Sequence, residues 1–324
     1  MQAAYMTKTG SYQQIQVGDL PDPVIKPNEV LVKVQAVAVN HVDTFVRSGA
    51  LKTELTLPAV IGRDAVGTVQ ALGSAVTAFE IGQLVWTNSM GYAGRPGVTS
   101  TLAAIPADRL FPVPVDVVPQ QLIAAVHSAA TAVILIKSVL KLHAGETVVI
   151  EGAAGHVGTK LVQVAHALGI QVLATMNRRD FDRVTTLGSQ QNYDYQGNFA
   201  AAIAQQYPQG VAGIVDTSGK VALQTNLNLL GLGGRLGLIT APTNNQFTFD
   251  VRQLYMRQQQ IKGFVISHAS LAQLQSAGAI VNQLMGQGRL LDDEYQVLPF
   301  SKAAQAHHWV ETGHTKAKLI LMPD

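Results

Sequence analysis

The chain contains no cysteine. That absence removes disulfides, a thiolate nucleophile and every cysteine-held zinc or iron–sulfur centre, and it fits a reducing cytoplasmic compartment. Charge is also scarce. With 23 Lys and Arg against 21 Asp and Glu, the net charge is +2 and only 14% of residues are charged. No basic run is present, so nothing in the sequence offers an electrostatic footprint for nucleic acid or an anionic membrane. The opening MQAAYMTKTG lacks the basic and apolar segments of a secretory signal, which implies no export. The only long uncharged stretch, Val117 to Ile136, is interrupted by Pro119, Gln120, Gln121, His127, Ser128 and Thr131. A buried core helix is expected there, not a membrane span.

What the chain does have is apolar mass: 47% hydrophobic residues over 324 positions, enough for two domains with a sizeable core. The most informative stretch is Thr147 to Asn177, TVVIEGAAGHVGTKLVQVAHALGIQVLATMN. Thr147 to Ile150 is an uncharged β-branched run, as in a strand buried on both faces of a parallel sheet. Leu161, Val162, Val164, Ala165 and Leu168 then recur at helical spacing, Gly169 supplies a stop, and Gln171 to Thr175 resumes a strand. This is a βαβ unit.

Its turn spaces Gly152, Gly155 and Gly158 as G-x-x-G-x-x-G, with Ala153 where the usual fingerprint has a glycine. Missing side chains let backbone N–H groups approach a pyrophosphate, and the following helix N-terminus adds partial positive charge. Gly152, Ala154, Gly155, His156, Val157 and Gly158 are therefore candidate cofactor contacts, with a ligand-free tight turn as the competing reading. An acidic residue about 20 positions past the turn would bind a free ribose hydroxyl and repel a 2′-phosphate. Met176, Asn177, Arg178 and Arg179 stand there instead. Guanidinium groups suit a phosphate dianion, so NADP(H) is expected over NAD(H), with Asn177 and Arg178 as its contacts. Two solvated arginines beside Asp180 and Asp182 would read the same way.

Along the rest of the chain, residues 1–118 read as β-rich, with strands at Val30 to Val39, Gly67 to Gln70 and Gln83 to Thr87 and a loop at Asn88 to Gly97. Clustered prolines up to Pro119 mark a boundary before a helical pattern from Gln120 to Leu142. Further strands are expected near Gly188 to Tyr195, Gly213 to Asp216, Gly233 to Thr240 and Ile261 to Ser267, separated by helical patterns such as Ala222 to Leu230. This alternation predicts an α/β, Rossmann-type doubly wound parallel sheet over 119–266. Ligands in such sheets lie beyond the strands' carboxyl ends, which adds Ser218, Thr240 and Val265 as candidates, although ordinary polar loops explain them as well. Residues 267–324 resemble the opening part and are expected to fold back onto it.

The matching segments are Ala38-Val39-Asn40 through Asp43, Arg47-Ser48-Gly49, Gly62-Arg63-Asp64-Ala65-Val66-Gly67, Pro106 to Leu110, Thr131-Ala132, Gly145-Glu146-Thr147, Ala153 to Gly158, Asn192-Tyr193 and Ile261-Lys262-Gly263. In that order they resemble the zinc-independent quinone oxidoreductases of the medium-chain dehydrogenase/reductase superfamily, over essentially the whole length. The resemblance implies an NADPH-binding doubly wound domain inserted in a GroES-like β-barrel domain, catalysis in the cleft between them, and a homodimer formed through the sheet. It implies Asn40 and Asp43 at the nicotinamide and substrate end, Thr131 facing the nicotinamide, Arg178 and Tyr193 at the adenosine phosphate, and Phe264 and Val265 on the nicotinamide's other side. The zinc relatives' cysteine near Asn40 and His near Arg63 are absent, and His41 alone is no metal site, so no metal is expected.

Two tyrosines frequent in those reductases are Phe45 and Leu51 here, which leaves His41, Asp43 and Tyr92 as candidate proton donors. The resulting expectation is NADPH-dependent hydride transfer to a quinone. Phe45, by making the pocket more apolar, keeps open reduction of the double bond of an enal, enone or enoyl thioester. A nucleotide-binding sensor or structural protein with little turnover is the third reading.

Overall fold

A computed structural model describes residues 1–324. The chain divides into two compact units, Met1–His127 with Ser270–Asp324, and Ser128–Ala269. The divisions fall after His127, within the helix that follows Val118, and after Ala269, just past a 3₁₀ turn at Ile266–His268.

The first unit is organised on alternation. Its strands are β1 (Gln2–Met6), β2 (Ile15–Asp19), β3 (Glu29–Val39), β4 (Ala59–Val60), β5 (Asp64–Leu72), β6 (Leu84–Thr87), β7 (Leu102–Pro106) and β8 (Leu110–Pro112), with helix α1 (His41–Ser48) after β3. In β3 the valines at 30, 32 and 34 are buried while Lys33 between them is exposed, as a pleated strand with one face on a core requires. Helix α2 (Pro119–Ile134) opens with proline at a position where the missing N–H has no intrahelical partner to lose. Its apolar residues are buried inside the protein; with the π-turn at Leu135–Val139 it is the one helix long and apolar enough to cross a membrane.

The second unit holds β9 (Thr147–Glu151), α3 (His156–Ala167), β10 (Gln171–Met176), α4 (Phe181–Thr186), β11 (Gln191–Asp194), α5 (Phe199–Gln206), β12 (Val211–Asp216), α6 (Leu223–Leu229), β13 (Leu230–Leu238), α7 (Val251–Met256) and β14 (Gln260–Gly263). The six strands form one parallel sheet in the order β11-β10-β9-β12-β13-β14. Strand order reverses between β9 and β12, which opens a crevice beyond their carboxyl ends. The expected sixth strand is shorter than its apolar run, because pairing stops at Gly263 and Phe264 and Val265 lead into the 3₁₀ turn.

The chain then returns to the first unit through α8 (Leu271–Gly286), β15 (Tyr295–Pro299), α9 (Ala303–Thr312) and β16 (Lys318–Met322). Antiparallel pairing of β16 with β3 completes a sheet ordered β15-β16-β3-β5-β6-β8, with β7 also on β3.

Candidate functional site

In the second unit, the glycine turn between β9 and α3 has steric reasons for its glycines. Gly152 sits at φ 73°, and a Cβ there would stand 2.5 Å from Thr217 Oγ1. At Gly158 a Cβ would stand 2.3 Å from the Gly152 carbonyl oxygen, so only glycine lets the first turn of α3 close onto the loop. Arg183 of α4 donates to the Ala154 carbonyl at 2.8 Å and braces the loop from behind.

Beside this turn lies a pocket of about 680 Å³ at the ends of β9, β10 and β12. Gly152, Ala154 and Gly155 form its glycine side, and Thr217 and Ser218 follow from β12. At the end of β10 it is lined by Met176, Asn177 and Arg179, with Tyr195 and Phe199 beyond and Lys220 on the opposite loop. No carboxylate lines it. The volume, the glycine cradle and two cationic side chains fit a dinucleotide.

Of the residues singled out in the sequence, Gly152, Ala154, Gly155, Asn177 and Ser218 line this pocket; His156, Val157 and Gly158 open α3 next to it. At the β10 end the pocket takes Arg179 where Arg178 was expected, because Asn177 Oδ1 accepts from the Arg179 N–H and starts the 3₁₀ turn Arg178–Asp180. Tyr193 lies within β11, its hydroxyl donating to Gln206 Oε1 at 3.1 Å, and Tyr195 supplies the lining tyrosine. Thr131 is buried on α2, Thr240 is exposed after β13, and Phe264 and Val265 follow β14, all outside the lining.

The first unit gathers a second set of groups. Asn40 and Asp43 meet at the N-terminus of α1, where the Asp43 carboxylate accepts from the Asn40 backbone N–H at 2.7 Å. The Asn40 side chain is held at both ends: Nδ2 donates to Asp64 Oδ2 at 2.7 Å, and Oδ1 accepts from Lys318 Nζ. Asp64 also accepts from the Ser89 N–H at 3.0 Å and faces His127 Nδ1 at 2.9 Å. Asn40, Asp43, Asp64, His127 and Lys318 are all buried.

Burial raises the Asp64 pKa, but His127, Arg63 and the Ser89 N–H together hold it below the ordinary carboxylate range. Burial pulls His127 and Lys318 down, opposed by Asp64 in each case. At Asp43 burial outweighs the Arg63 charge and the Asn40 N–H bond. Burial pushes it up to about 7, with Arg63 opposing and Asp64 adding to the rise. Arg63 itself is 1% exposed, none of its guanidinium nitrogens has a hydrogen-bond partner, and it lies 5.5 Å from the Tyr92 ring centroid.

The sequence's proton-donor candidates therefore part company. Asp43 and Tyr92 are buried, Asp43 inside the network and Tyr92 against Arg63, whereas His41 and Phe45 share the exposed side of α1, rings edge-to-face at 5.0 Å. Leu51 is bonded back to the Phe45 carbonyl. Sequence reasoning missed Asp64, His127 and Lys318 as members of the network. A lone charge in an apolar strand, as in KLILM, was the available signal, since buried charges are kept only when paired.

The match to two family models covers both units: the alcohol dehydrogenase GroES-like domain over residues 26–115, and zinc-binding dehydrogenase over residues 157–279. The second name finds no matching donor set here, since no three His, Asp or Glu side chains converge as metal ligands. A quinone oxidoreductase of Sus scrofa is 30% identical over 99% of this chain and 98% of its own. Among solved structures, a mycobacterial protein complexed with NADPH shares 27% identity at TM-score 0.82, covering 100% of both chains. An NAD-dependent alcohol dehydrogenase shares 25% at TM-score 0.86, again over 100% of both. With the GroES-like unit, the doubly wound sheet and the glycine cradle all in place, the chain belongs to the quinone oxidoreductase-like medium-chain dehydrogenases/reductases, enzymes dependent on a nicotinamide cofactor.

Proposed function

We propose that the protein is an NADPH-dependent, zinc-independent reductase of quinones. The observation that carries the cofactor choice is the pocket wall at the end of β10, where Asn177 and Arg179 stand and no carboxylate does. A free 2′-hydroxyl finds no carboxylate acceptor at that wall, whereas a 2′-phosphate would meet a guanidinium. The quinone rests on the pig relative's name.

Bound NADPH supplies a hydride. The chain's own residues provide binding and proton control. The glycine turn would hold the pyrophosphate, and Lys220 on the opposite loop would offset its charge. In the first unit Lys318 and Asp64 fix the orientation of the Asn40 amide, and Asp43, pushed up to about 7, can hold or release a proton near neutrality. An acceptor that spreads added charge over a conjugated system suits a site without a metal donor set.

A second reading, reduction of the double bond of a 2-alkenal or enone, is favoured by Phe45, which presents an apolar ring, 45% exposed, where a tyrosine would offer a hydroxyl. The chain as a homodimer belongs to the same proposal: β14 ends the six-stranded sheet, and Leu232, Tyr255 and Met256 on β13 and α7 are exposed. Light scattering on the purified protein tests that.

The deciding experiment is oxidation of NADPH, with NADH as control, by a benzoquinone and separately by a 2-alkenal and an enone. Quinone-dependent turnover selective for NADPH is the expected result. Turnover of the alkenal or enone alone moves the assignment to the double-bond reductase, and binding without turnover by any acceptor leaves a nucleotide-binding protein.

A further inference from the structure

Glu151 and Asp216 are the last residues of the neighbouring parallel strands β9 and β12, directly side by side in register, and both are 0% exposed. Residues so paired point to the same face of a sheet. Asn226 of α6, also buried, donates Nδ2 to Glu151 Oε2 at 3.0 Å. Asp216 Oδ1 is well served: it accepts from the Ser218 N–H at 2.7 Å, the Ser218 hydroxyl at 2.9 Å and the Gly219 N–H at 2.9 Å.

What remains is three buried oxygens with no donor: Glu151 Oε1, Asp216 Oδ2 and Asn226 Oδ1. The only charge acting on Glu151 is that of Asp216. The strand on its other side contributes Thr175, which is uncharged, and no lysine, arginine or histidine acts on Glu151. Two ionised carboxylates in that setting would carry both the desolvation cost and their mutual repulsion. A proton on Glu151 turns one orphaned acceptor into a donor and gives a second one a partner.

We propose that Glu151 and Asp216 share one proton, carried on Glu151, and that this proton holds the floor of the nucleotide pocket in its binding geometry. Asp216 keeps the charge, because its other oxygen already accepts from three donors. In agreement, burial and then Asp216 raise the Glu151 pKa to about 8.

Glu151 acts as a positioning residue, since it does not itself line the pocket. The residues that follow the pair do: Gly152 after Glu151, and Thr217 and Ser218 after Asp216. The Thr217 hydroxyl bridges the two strand ends, donating to the Glu151 carbonyl at 2.7 Å and lying 3.3 Å from the Gly152 carbonyl. Loss of the proton puts like charges side by side beneath these residues and drives the strand ends apart. Phosphates bound at the glycine turn oppose the same ionisation. Dinucleotide binding and proton uptake are therefore linked, each favouring the other by the same factor. The proton sharing stands on the geometry alone; the coupling also rests on the reading of this pocket as an NADPH site.

Two measurements test the parts separately. In the ligand-free protein, the side-chain carboxyl carbon of Glu151 is followed by NMR against pH and assigned by its disappearance in Glu151→Gln. A midpoint near 8 is expected, and one in the ordinary glutamate range overturns the proton sharing. NADPH affinity is then measured by calorimetry from about pH 6.5 to about pH 9.5, in buffers of different ionisation enthalpy. Wild-type affinity is expected to fall on the order of tenfold across that range, with proton uptake on binding at the alkaline end. Glu151→Gln, which keeps a donor in place without the charge, should bind at the wild-type low-pH affinity throughout. The same pH dependence in Glu151→Gln as in wild type overturns the coupling. Absence of NADPH binding at every pH overturns the pocket assignment and the coupling together, while the NMR midpoint still decides the proton.

Discussion

Asp64 faces His127 through a 2.9 Å contact between Oδ2 and Nδ1, and the same oxygen takes the Asn40 side-chain amide at 2.7 Å. The pair links β5 to the middle of the long apolar helix α2, and Lys318 on β16 reaches it through Asn40. A carboxylate that serves three donors in the interior is costly to remove, because each donor then loses its acceptor. Asp64→Ala is expected to destabilise the protein by about 3–5 kcal/mol, read as a lower urea midpoint. Asp64→Asn, which keeps one acceptor oxygen, should lose less.

The pocket lining separates two adjacent arginines. Arg179 lines the pocket and Arg178 does not, although both are exposed. Arg179→Ala should weaken NADPH binding on the order of tenfold, the worth of about 1.4 kcal/mol, and leave NADH binding nearly unchanged. Arg178→Ala should alter neither. Parallel titrations of both variants with both nucleotides check the assignment, and equal losses for NADH and NADPH would show that Arg179 does not meet a 2′-phosphate.

These two sites differ in how far they can be read from sequence. The βαβ unit was legible because its apolar run, glycine spacing and helical period are all local and agree with one another. Which arginine lines the pocket was not legible, because that depends on the Asn177 side chain starting a 3₁₀ turn. The far wall was hidden too, since Phe199 and Lys220 arrive from segments well beyond the glycine turn. In the first unit, Asn40 and Lys318 are 278 residues apart, and no period or spacing connects them. His41 and Asp43 are nearly adjacent in sequence, yet α1 turns one outward and the other into the core.

Asp43 carries a pH prediction. Its pKa rises from 3.8 to about 7 on folding, chiefly through burial. Between those values the unfolded state has released a proton that the folded state keeps, so this group lowers stability as pH rises from about 4 to about 7, with no further loss above. The shift corresponds to a cost on the order of 4 kcal/mol at alkaline pH. Asp43→Asn retains an oxygen for the Asn40 N–H and removes the ionisation. It should therefore raise the melting temperature at pH 8 and change it little at pH 4, and a gain at pH 4 as large as that at pH 8 would contradict the assignment.

The glycine turn offers a sharper contrast, because two of its glycines have different reasons to be there. A Cβ on Gly158 would fall 2.3 Å from the Gly152 carbonyl oxygen and 2.7 Å from the Ala153 Cα, both backbone atoms that cannot rotate away. A Cβ on Gly155 would meet only the Gly152 oxygen, at 3.4 Å, and its φ of −80° is open to any residue. Gly158→Ala must push α3 off the turn, so nucleotide binding should be lost and the melting temperature should fall. Gly155→Ala should fold normally and keep most of its stability, losing affinity only if a phosphate approaches that backbone closely enough to feel one methyl group. Comparing the melting temperatures and NADPH affinities of the two variants therefore separates a glycine needed for packing from one needed for the ligand.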